Sequence, residues 1–494
     1  MRQKVLVIGA GIGGLTSGAL LAKHGMEVLV LEASSEFGGS AGKFKRKSYL
    51  FPVGATLGMG LEENGIHERI FRYLGKPFPL PPLETVMEMV HPEATYVFMK
   101  DRNCHVDGII RHFPEHEKSI RNFYRELYKT ASIIRTLMDP LPVLPPTTIA
   151  EWANLFRSVR LQHIRLLPLF NQTLGQRLKH HHLDKLTPFC TMLDGLLIDS
   201  MQTGNKHVSY LLAAVALDIY HEGAYYVPGG LYQFADLMAK SIQENGGVLK
   251  KRRTVTKLEY SEGIWLATDQ RGNTYEATDV VLNVPIHQLP VILEPNMIDK
   301  LKKPLRNGLK TPTWTTLTLY MAIDESILDA PLPPFRQIST GSGDSLTEGE
   351  HFFVSASRPG DSLRAPDGFQ TVTVSTHSQA QLWNTKEQYD ARREILTERM
   401  LSAISQVIPH FREAIVHLET GAPKGWERYT GRPNGYVGGF PQTLDNALFN
   451  SISHRSGLPG VYVCGDHIFP GGGTIGVAAS GLHVARSISG SRLV

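Results

Sequence analysis

The stretch Lys4-Val-Leu-Val-Ile-Gly-Ala-Gly-Ile-Gly-Gly-Leu-Thr-Ser-Gly18 decides the fold of this 494-residue chain. Its first residues form a short apolar run that is typical of a buried β-strand. Gly9, Gly11 and Gly14 then follow at the G-x-G-x-x-G spacing, and an apolar helical stretch leads to a second strand that ends on Glu32. A strand, a glycine turn, a helix and an acid after the next strand together predict a dinucleotide-binding βαβ unit.

Each of these residues has a physical role in such a unit. Gly9 permits the tight turn, Gly11 lets the backbone approach a pyrophosphate, and Gly14 lets the helix pack against the strand. The positive end of the helix dipole favours the phosphates. Glu32 can accept hydrogen bonds from ribose hydroxyls and would repel a 2′-phosphate, which argues against NADP.

A second glycine-rich motif closes the chain. The apolar strand Val461–Val463 runs into Gly465 and Asp466, and three glycines at 471–473 open a helix of small residues. Gly465 allows close approach of a cofactor, and Asp466 can accept hydrogen bonds from ribityl hydroxyls. The N-terminus of this helix is expected to face the pyrimidine end of an isoalloxazine and to stabilise negative charge on a reduced flavin. A nicotinamide enzyme does not need this second motif, so the cofactor is predicted to be FAD.

The string from Val5 to Thr56 resembles the N-terminal FAD signature of the flavin amine-oxidase superfamily. Within it, the phytoene desaturase, carotene isomerase and retinol saturase branch is the most similar. Ser40 stands after the paired glycines, as in isomerase-like members, where many relatives have arginine; many also have aspartate in place of Pro52. The loops at 365–368 and 428–439 resemble the same branch.

The resemblance implies an α/β fold, with a Rossmann-like FAD-binding domain of the glutathione-reductase/amine-oxidase type and an inserted α+β substrate domain. The FAD-binding domain is expected to comprise residues 1–84, 224–300 and 440–494, and the substrate domain residues 85–223 and 301–439. By the same resemblance, the backbone around Val255 contacts the adenine. The residues expected to bind FAD are Gly9, Gly11, Gly13, Gly14, Glu32, Gly38, Gly39, Ser40, Val255, Gly465, Asp466, Gly473, Thr474, Ile475 and Val477.

The family implies a long apolar polyene or isoprenoid substrate, from which the flavin abstracts a hydride as in a carotenoid desaturase. Three alternatives stay open: a carotenoid cis-trans isomerase that uses reduced FAD, a flavin amine oxidase, and a non-catalytic prenyl-binding protein. No catalytic acid or base can be named, because the sequence contains no recognisable polar catalytic set. His180, His181 and His182 are interpreted as an exposed polar turn, and no metal site is predicted.

Composition limits the partners and the location. A net charge of +4 is too small to imply nucleic acid. Three scattered cysteines, Cys104, Cys190 and Cys464, form no disulfide or metal pattern and fit a reducing cytoplasm. The stretch 152–185 mixes aromatic and basic residues, so a peripheral membrane contact is expected there. The oligomeric state is not predicted.

The inserted region is expected to begin with two strand segments, Glu84 to Met99 and Asn103 to His112. Apolar residues at helical spacing over 120–138 then predict a long helix.

Overall fold

The computed structural model describes residues 4–341 and 346–494. The strands are β1 Lys4–Ile8, β2 Glu27–Leu31, β3 Lys43–Arg46, β4 Tyr49–Pro52, β5 Leu57–Met59, β6 Thr85–His91, β7 Ala94–Met99, β8 Ala224–Tyr226, β9 Val248–Lys250, β10 Val255–Ser261, β11 Ile264–Asp269, β12 Thr274–Ala277, β13 Asp279–Leu282, β14 Trp314–Asp324, β15 Phe335–Ser339, β16 His351–Ala356, β17 Phe369–Gln379, β18 Ile415–Gly421 and β19 Val461–Val463.

The α-helices are α1 Ile12–Lys23, α2 Ile66–Tyr73, α3 Arg102–His112, α4 Glu117–Met138, α5 Ile149–Ser158, α6 Leu174–His180, α7 Thr187–Met201, α8 Tyr210–Glu222, α9 Tyr232–Glu244, α10 Leu289–Ile292, α11 Pro295–Lys300, α12 Lys303–Gly308, α13 Lys386–Val407, α14 Pro423–Thr430 and α15 Gly473–Ser489.

A five-stranded parallel sheet holds the two ends of the chain together. Its order is β19-β13-β1-β2-β9, so β1 lies at the centre between β13 and β2. Helix α1 is buried along nearly its whole length and packs between α9 and α15. The sheet therefore has the Rossmann-like arrangement that the sequence predicts, and the α/β fold class is confirmed.

A seven-stranded mixed sheet forms the second large element. Its order is β18-β14-β17-β16-β15-β6-β7, and all neighbours are antiparallel except β15 and β6. Helix α13 packs on one face, where alternate residues of β14 and β17 join its apolar core. Helix α7 packs against β6 and β15 on the other face, together with α4 and α8.

The predicted strand over Asn103–His112 is wrong, because these residues lie in α3. The side chain of Asp101 accepts a hydrogen bond from the Cys104 backbone N–H at 2.8 Å, which is a helix N-cap. Val106, Ile109 and Ile110 are buried at three- and four-residue spacing on one helical face. The spacing of the buried apolar residues in this segment is therefore that of a helix. The other segment, 84–99, forms β6 and β7 as expected.

Candidate FAD-binding site

The carboxyl ends of four parallel strands meet at one edge of the five-stranded sheet. They place Gly9 after β1, Glu32 after β2, Asn283 after β13 and Gly465 after β19. Backbone hydrogen bonds lock these ends together, with the Asn283 N–H donating to Ile8 at 2.9 Å and the Gly9 N–H donating to Leu31 at 2.8 Å. Ligands of open parallel sheets bind at this edge.

The glycines at this edge are required by close backbone packing. Gly9 has φ +97°, and a Cβ on it would stand 2.4 Å from the Asn283 carbonyl oxygen. A Cβ on Gly14 would stand 2.2 Å from the Gly9 carbonyl oxygen, so only glycine lets α1 start so close to β1. A Cβ on Gly13 would stand 3.0 Å from the Val477 carbonyl oxygen, which shows that the first and last helices touch here.

Two helix N-termini point towards this edge without side-chain caps. Helix α1 begins after Gly11 and α15 begins after Gly472, and glycine has no side chain to satisfy the free N–H groups. The first turns of both helices carry no acidic residue. A Cβ on Gly473 would have no other atom within 4 Å, so the start of α15 is open. A glycine cradle with two free positive helix ends fits an anionic pyrophosphate and a flavin.

Glu32 is held by the backbone around it. Its two carboxylate oxygens accept hydrogen bonds from the Ala10 N–H at 2.6 Å and from the Ser34 N–H at 2.7 Å. Burial raises the pKa of Glu32, and the backbone hydrogen bonds oppose that rise only in part. The carboxyl group is therefore fixed beside the turn after β1, where a ribose is expected.

Asp466 has two charged or polar neighbours that the sequence did not identify. Its carboxylate accepts from Arg432 at 2.7 Å and lies 2.9 Å from Nδ1 of His467. Burial alone would raise the pKa of Asp466, but Arg432 and His467 outweigh burial and hold that pKa far below its usual range. Asp466 thus stays ionised and fixes the Arg432 guanidinium at the edge of the site.

The remaining predicted residues lie around the same edge. Gly38 forms a parallel bridge to Gly11, and Gly39 and Ser40 continue in the same turn. Thr474, Ile475 and Val477 form the first turn and a half of α15. Val255 shares an apolar cluster with residues at the ends of β1 and β2. The structure therefore brings the predicted residues together, and their individual roles toward FAD stay predictions.

Sequence reasoning missed Asn283 as a site residue. Its side-chain amide donates to the Gly9 carbonyl at 3.2 Å, and its Oδ1 accepts from the Cys464 thiol at 3.4 Å. Asn283 fills the space beside the glycine turn. A larger or apolar residue there would not make these contacts. The available signal was a polar residue directly after the apolar run Val280–Leu282.

The three consecutive histidines are not simply an exposed turn. His181 is half-buried, and its Nε2 lies 3.0 Å from a carboxylate oxygen of Glu126 in α4. His180 and His181 bring their ring nitrogens within 4.8 Å of that carboxylate. However, Arg177 binds both oxygens of Glu126 at 2.8 and 2.7 Å, so the carboxylate is already paired. The sequence interpretation missed this acid because it lies in a distant helix.

Comparison with known proteins identifies the family. Residues 12–489 match the family model of flavin containing amine oxidoreductase. Prolycopene isomerase 2, chloroplastic, of an Oncidium hybrid cultivar is 24% identical over 98% of this chain and 83% of its own length. All-trans-retinol 13,14-reductase of Danio rerio is 24% identical over 88% and 77%. A 4,4'-diapophytoene desaturase of Methylomonas sp is 23% identical over 75% and 72%.

Solved structures share the fold. An oxidoreductase from Methanosarcina mazei superposes with a TM-score of 0.65 at 16% identity, covering 99% of this chain and 100% of that protein. A putrescine oxidase double mutant gives a TM-score of 0.65 at 15% identity over 99% and 100%. The chain therefore belongs to the flavin-containing amine oxidoreductase family, in its phytoene desaturase, carotene isomerase and retinol saturase branch, and is an FAD-dependent oxidoreductase.

Proposed function

We propose that this enzyme acts on a long apolar polyene or isoprenoid, in the manner of a carotenoid desaturase. The observation that carries the proposal is the similarity, over most of the chain, to three enzymes whose names denote a carotenoid or retinoid. When bound, FAD supplies the hydride acceptor. The residues of the chain bind and orient the cofactor and the substrate, and they exclude water.

The site geometry suggests how the chain holds the cofactor. The N-terminus of α1 would bind the pyrophosphate, Glu32 the ribose, and the N-terminus of α15 the pyrimidine edge of the flavin. Arg432, held by Asp466, places a fixed positive charge at the same edge. The FAD-binding domain is proposed to comprise 1–84, 224–300 and 440–494, because these ranges supply the whole five-stranded sheet. The substrate domain would comprise 85–223 and 301–439, which supply the seven-stranded sheet.

An amine substrate is less well supported by the geometry. Tyr429 and Tyr436 are the aromatic residues that the sequence offers for an amine-binding cage. Tyr429 is 61% exposed. Tyr436 instead packs on His287, with ring centroids 5.0 Å apart. The two tyrosines therefore do not form a buried pair that would enclose an ammonium group.

Isomerisation is the second candidate reaction. It is favoured by the match to prolycopene isomerase, which extends over more of this chain than the match to the desaturase. Ser40 after the paired glycines also favours isomerisation, because isomerase-like members of the branch have serine there. The substrate class is the same for both reactions.

A contact with a lipid surface is also proposed, because an apolar polyene would be supplied from lipid. None of the described helices is both long and apolar enough to cross a bilayer. The stretch from Ile149 to Leu167, however, exposes six large apolar side chains besides Trp152; they are Ile149, Phe156, Val159, Leu161, Ile164 and Leu167. Arg157, Arg160 and Arg165 are exposed among them. A cytoplasmic protein that binds the membrane reversibly is consistent with this pattern.

Anaerobic mixing of the FAD-loaded enzyme with candidate polyenes tests the proposal. Bleaching of the oxidised flavin together with a red-shifted polyene product means desaturation. Product that forms only after prior reduction of the flavin, with no net flavin consumption, means isomerisation. Rapid flavin reduction by a primary amine or a polyamine, with no reaction of any polyene, would overturn the proposal.

A further inference from the structure

A polar cluster lies between α7 and the seven-stranded sheet, away from the face that α13 covers. The Gln337 side-chain amide, on β15, donates to the Gly195 carbonyl at 3.1 Å and to Asp199 at 3.2 Å. The other oxygen of Asp199 lies 3.8 Å from Nδ1 of His377 on β17. One helix and two strands thus converge on a single carboxyl group.

The charge of Asp199 is poorly compensated. Within residues 4–341 and 346–494, no lysine or arginine forms an ion pair with it. The titratable groups around it are His377 on β17, His351 on β16 beyond it, and Tyr220 on α8. Burial raises the pKa of Asp199 to about 7 and lowers the pKa of His377 to about 4. Near neutral pH, Asp199 therefore exchanges its proton while His377 is neutral.

The cluster lies at the end of α7 that reaches the FAD-binding edge. Gln202 caps this end, and its side chain lies 2.2 Å from where a Cβ on Gly438 would stand. The Gly438 carbonyl oxygen in turn lies 2.6 Å from where a Cβ on Gly472 would stand, and Gly472 is the N-cap of α15. Asp199 is one helical turn from Gln202. The side chain of Asp199 is 28% exposed and that of His377 is 13% exposed, so Asp199 is not sealed inside the protein.

We propose that Asp199 is the acid–base group that exchanges a proton with the bound polyene, and that Gln337 and His377 position it. The inference rests on the proposed polyene substrate. In a desaturation, one carbon loses a hydride to FAD, and the adjacent carbon loses a proton to an Asp199 oxygen. The electron pair of that second C–H bond becomes the new double bond, and Asp199 then releases the proton to water.

The first test is Asp199→Asn, which keeps the size of the side chain and its hydrogen bond to Gln337. We expect kcat for the polyene to fall about 100-fold or more, with FAD content unchanged. In the wild-type enzyme, kcat for desaturation should rise as the pH passes through about 7, because the ionised carboxylate is the base. This limb of the profile should be absent in the variant. A purely structural role would not remove it.

Asp194→Asn is the matched control. Asp194 lies on the same helix, accepts hydrogen bonds from the backbone and side chain of Asn205, and has a pKa that burial raises to about 6. Its loss is expected to lower thermal stability, while kcat stays within about twofold and the pH profile is kept.

A second variant covers the case in which Asp199→Asn changes the fold. Asp199→Ala leaves a space, and added formate is expected to restore part of the lost rate. If Asp199→Asn has wild-type kcat and an unchanged pH profile, the inference about Asp199 is overturned, while the proposed function stands. Two variants that both lose FAD or fold would show that Asp199 only holds α7 on the sheet, and would also overturn it. A wild-type enzyme that reacts with no polyene would instead refute the proposed function, and the inference with it.

Discussion

At the scale of single residues, two carboxylates in different environments are predicted to bind the cofactor. Glu32 is held by two backbone N–H groups, and its loss would remove a charged acceptor for the ribose. Such a hydrogen bond contributes about 1.5–3 kcal/mol, so Glu32→Ala should weaken FAD binding about tenfold or more. Titration of the apoprotein with FAD measures this. Glu36→Ala is the control, because Glu36 pairs only loosely with Lys251, at 3.9 Å. An equal loss of FAD affinity in both variants would contradict the predicted role of Glu32.

Asp466 should behave differently, because its removal leaves Arg432 without its 2.7 Å partner. Asp466→Ala is expected to weaken FAD binding about tenfold or more and also to lower the thermal stability of the apoprotein. Arg432 and His467 overcome burial to depress the pKa of Asp466, so its stabilising effect is present above the unfolded pKa of about 4. That effect is lost only as the pH falls further, through the depressed pKa. Thermal melts of wild type and variant should therefore converge at strongly acidic pH; a difference that persists there would contradict this account.

At the scale of elements, the contact between the first and last helices joins the two ends of the chain. A Cβ on Gly481 of α15 would stand 2.2 Å from the Gly13 carbonyl oxygen of α1. Gly481→Ala should therefore push the helices apart, destabilise the fold by about 1–3 kcal/mol and lower FAD retention. Gly425→Ala in α14 is the control, because its new Cβ would have no other atom within 4 Å. Chemical denaturation compares the two; equal stabilities would show that α15 can shift freely.

The helices and strands also show where sequence patterns were enough to predict the structure. The strand, turn and helix at each end of the chain were predictable, because glycine spacing and short apolar runs specify them locally. Helix α3 was missed although Asp101 and the buried face of Val106, Ile109 and Ile110 give helical signals. A glycine at position 108 and several polar residues weaken that pattern.

At the scale of the whole molecule, the sequence did not predict which side chains from distant segments meet in the fold. Gln337, His351 and His377 come from three strands and meet α7 on one face of the sheet. Arg432 reaches Asp466 from a loop, and Glu126 reaches His181 from another helix. No local spacing encodes these contacts, because they depend on strand order and helix packing. The sequence contains no recognisable polar catalytic set, but the fold brings polar side chains from distant segments together.

The exposed apolar stretch makes a prediction about how the whole enzyme meets a lipid surface. Within residues 149–170, all described in the structure, Glu151 is the one acid, and it is buried against Arg455 at 2.9 Å. The exposed surface is therefore apolar and basic, which complements an anionic bilayer. Phe170 is only partly exposed and packs near Phe449, so it is a poor choice for a test.

The better test replaces Ile149, Leu161 and Leu167 with serine, because these side chains are 90%, 86% and 67% exposed and their removal should not unfold the protein. Each apolar side chain buried in lipid contributes about 1.5–3 kcal/mol, so the triple variant should stop floating with phosphatidylserine-containing vesicles. Serine at Val291 and Ile395, which are 66% and 59% exposed elsewhere, should leave flotation unchanged. High salt should weaken wild-type binding, because each arginine near the surface contributes about 1 kcal/mol. Flotation of the triple variant equal to wild type would exclude this stretch as the membrane contact.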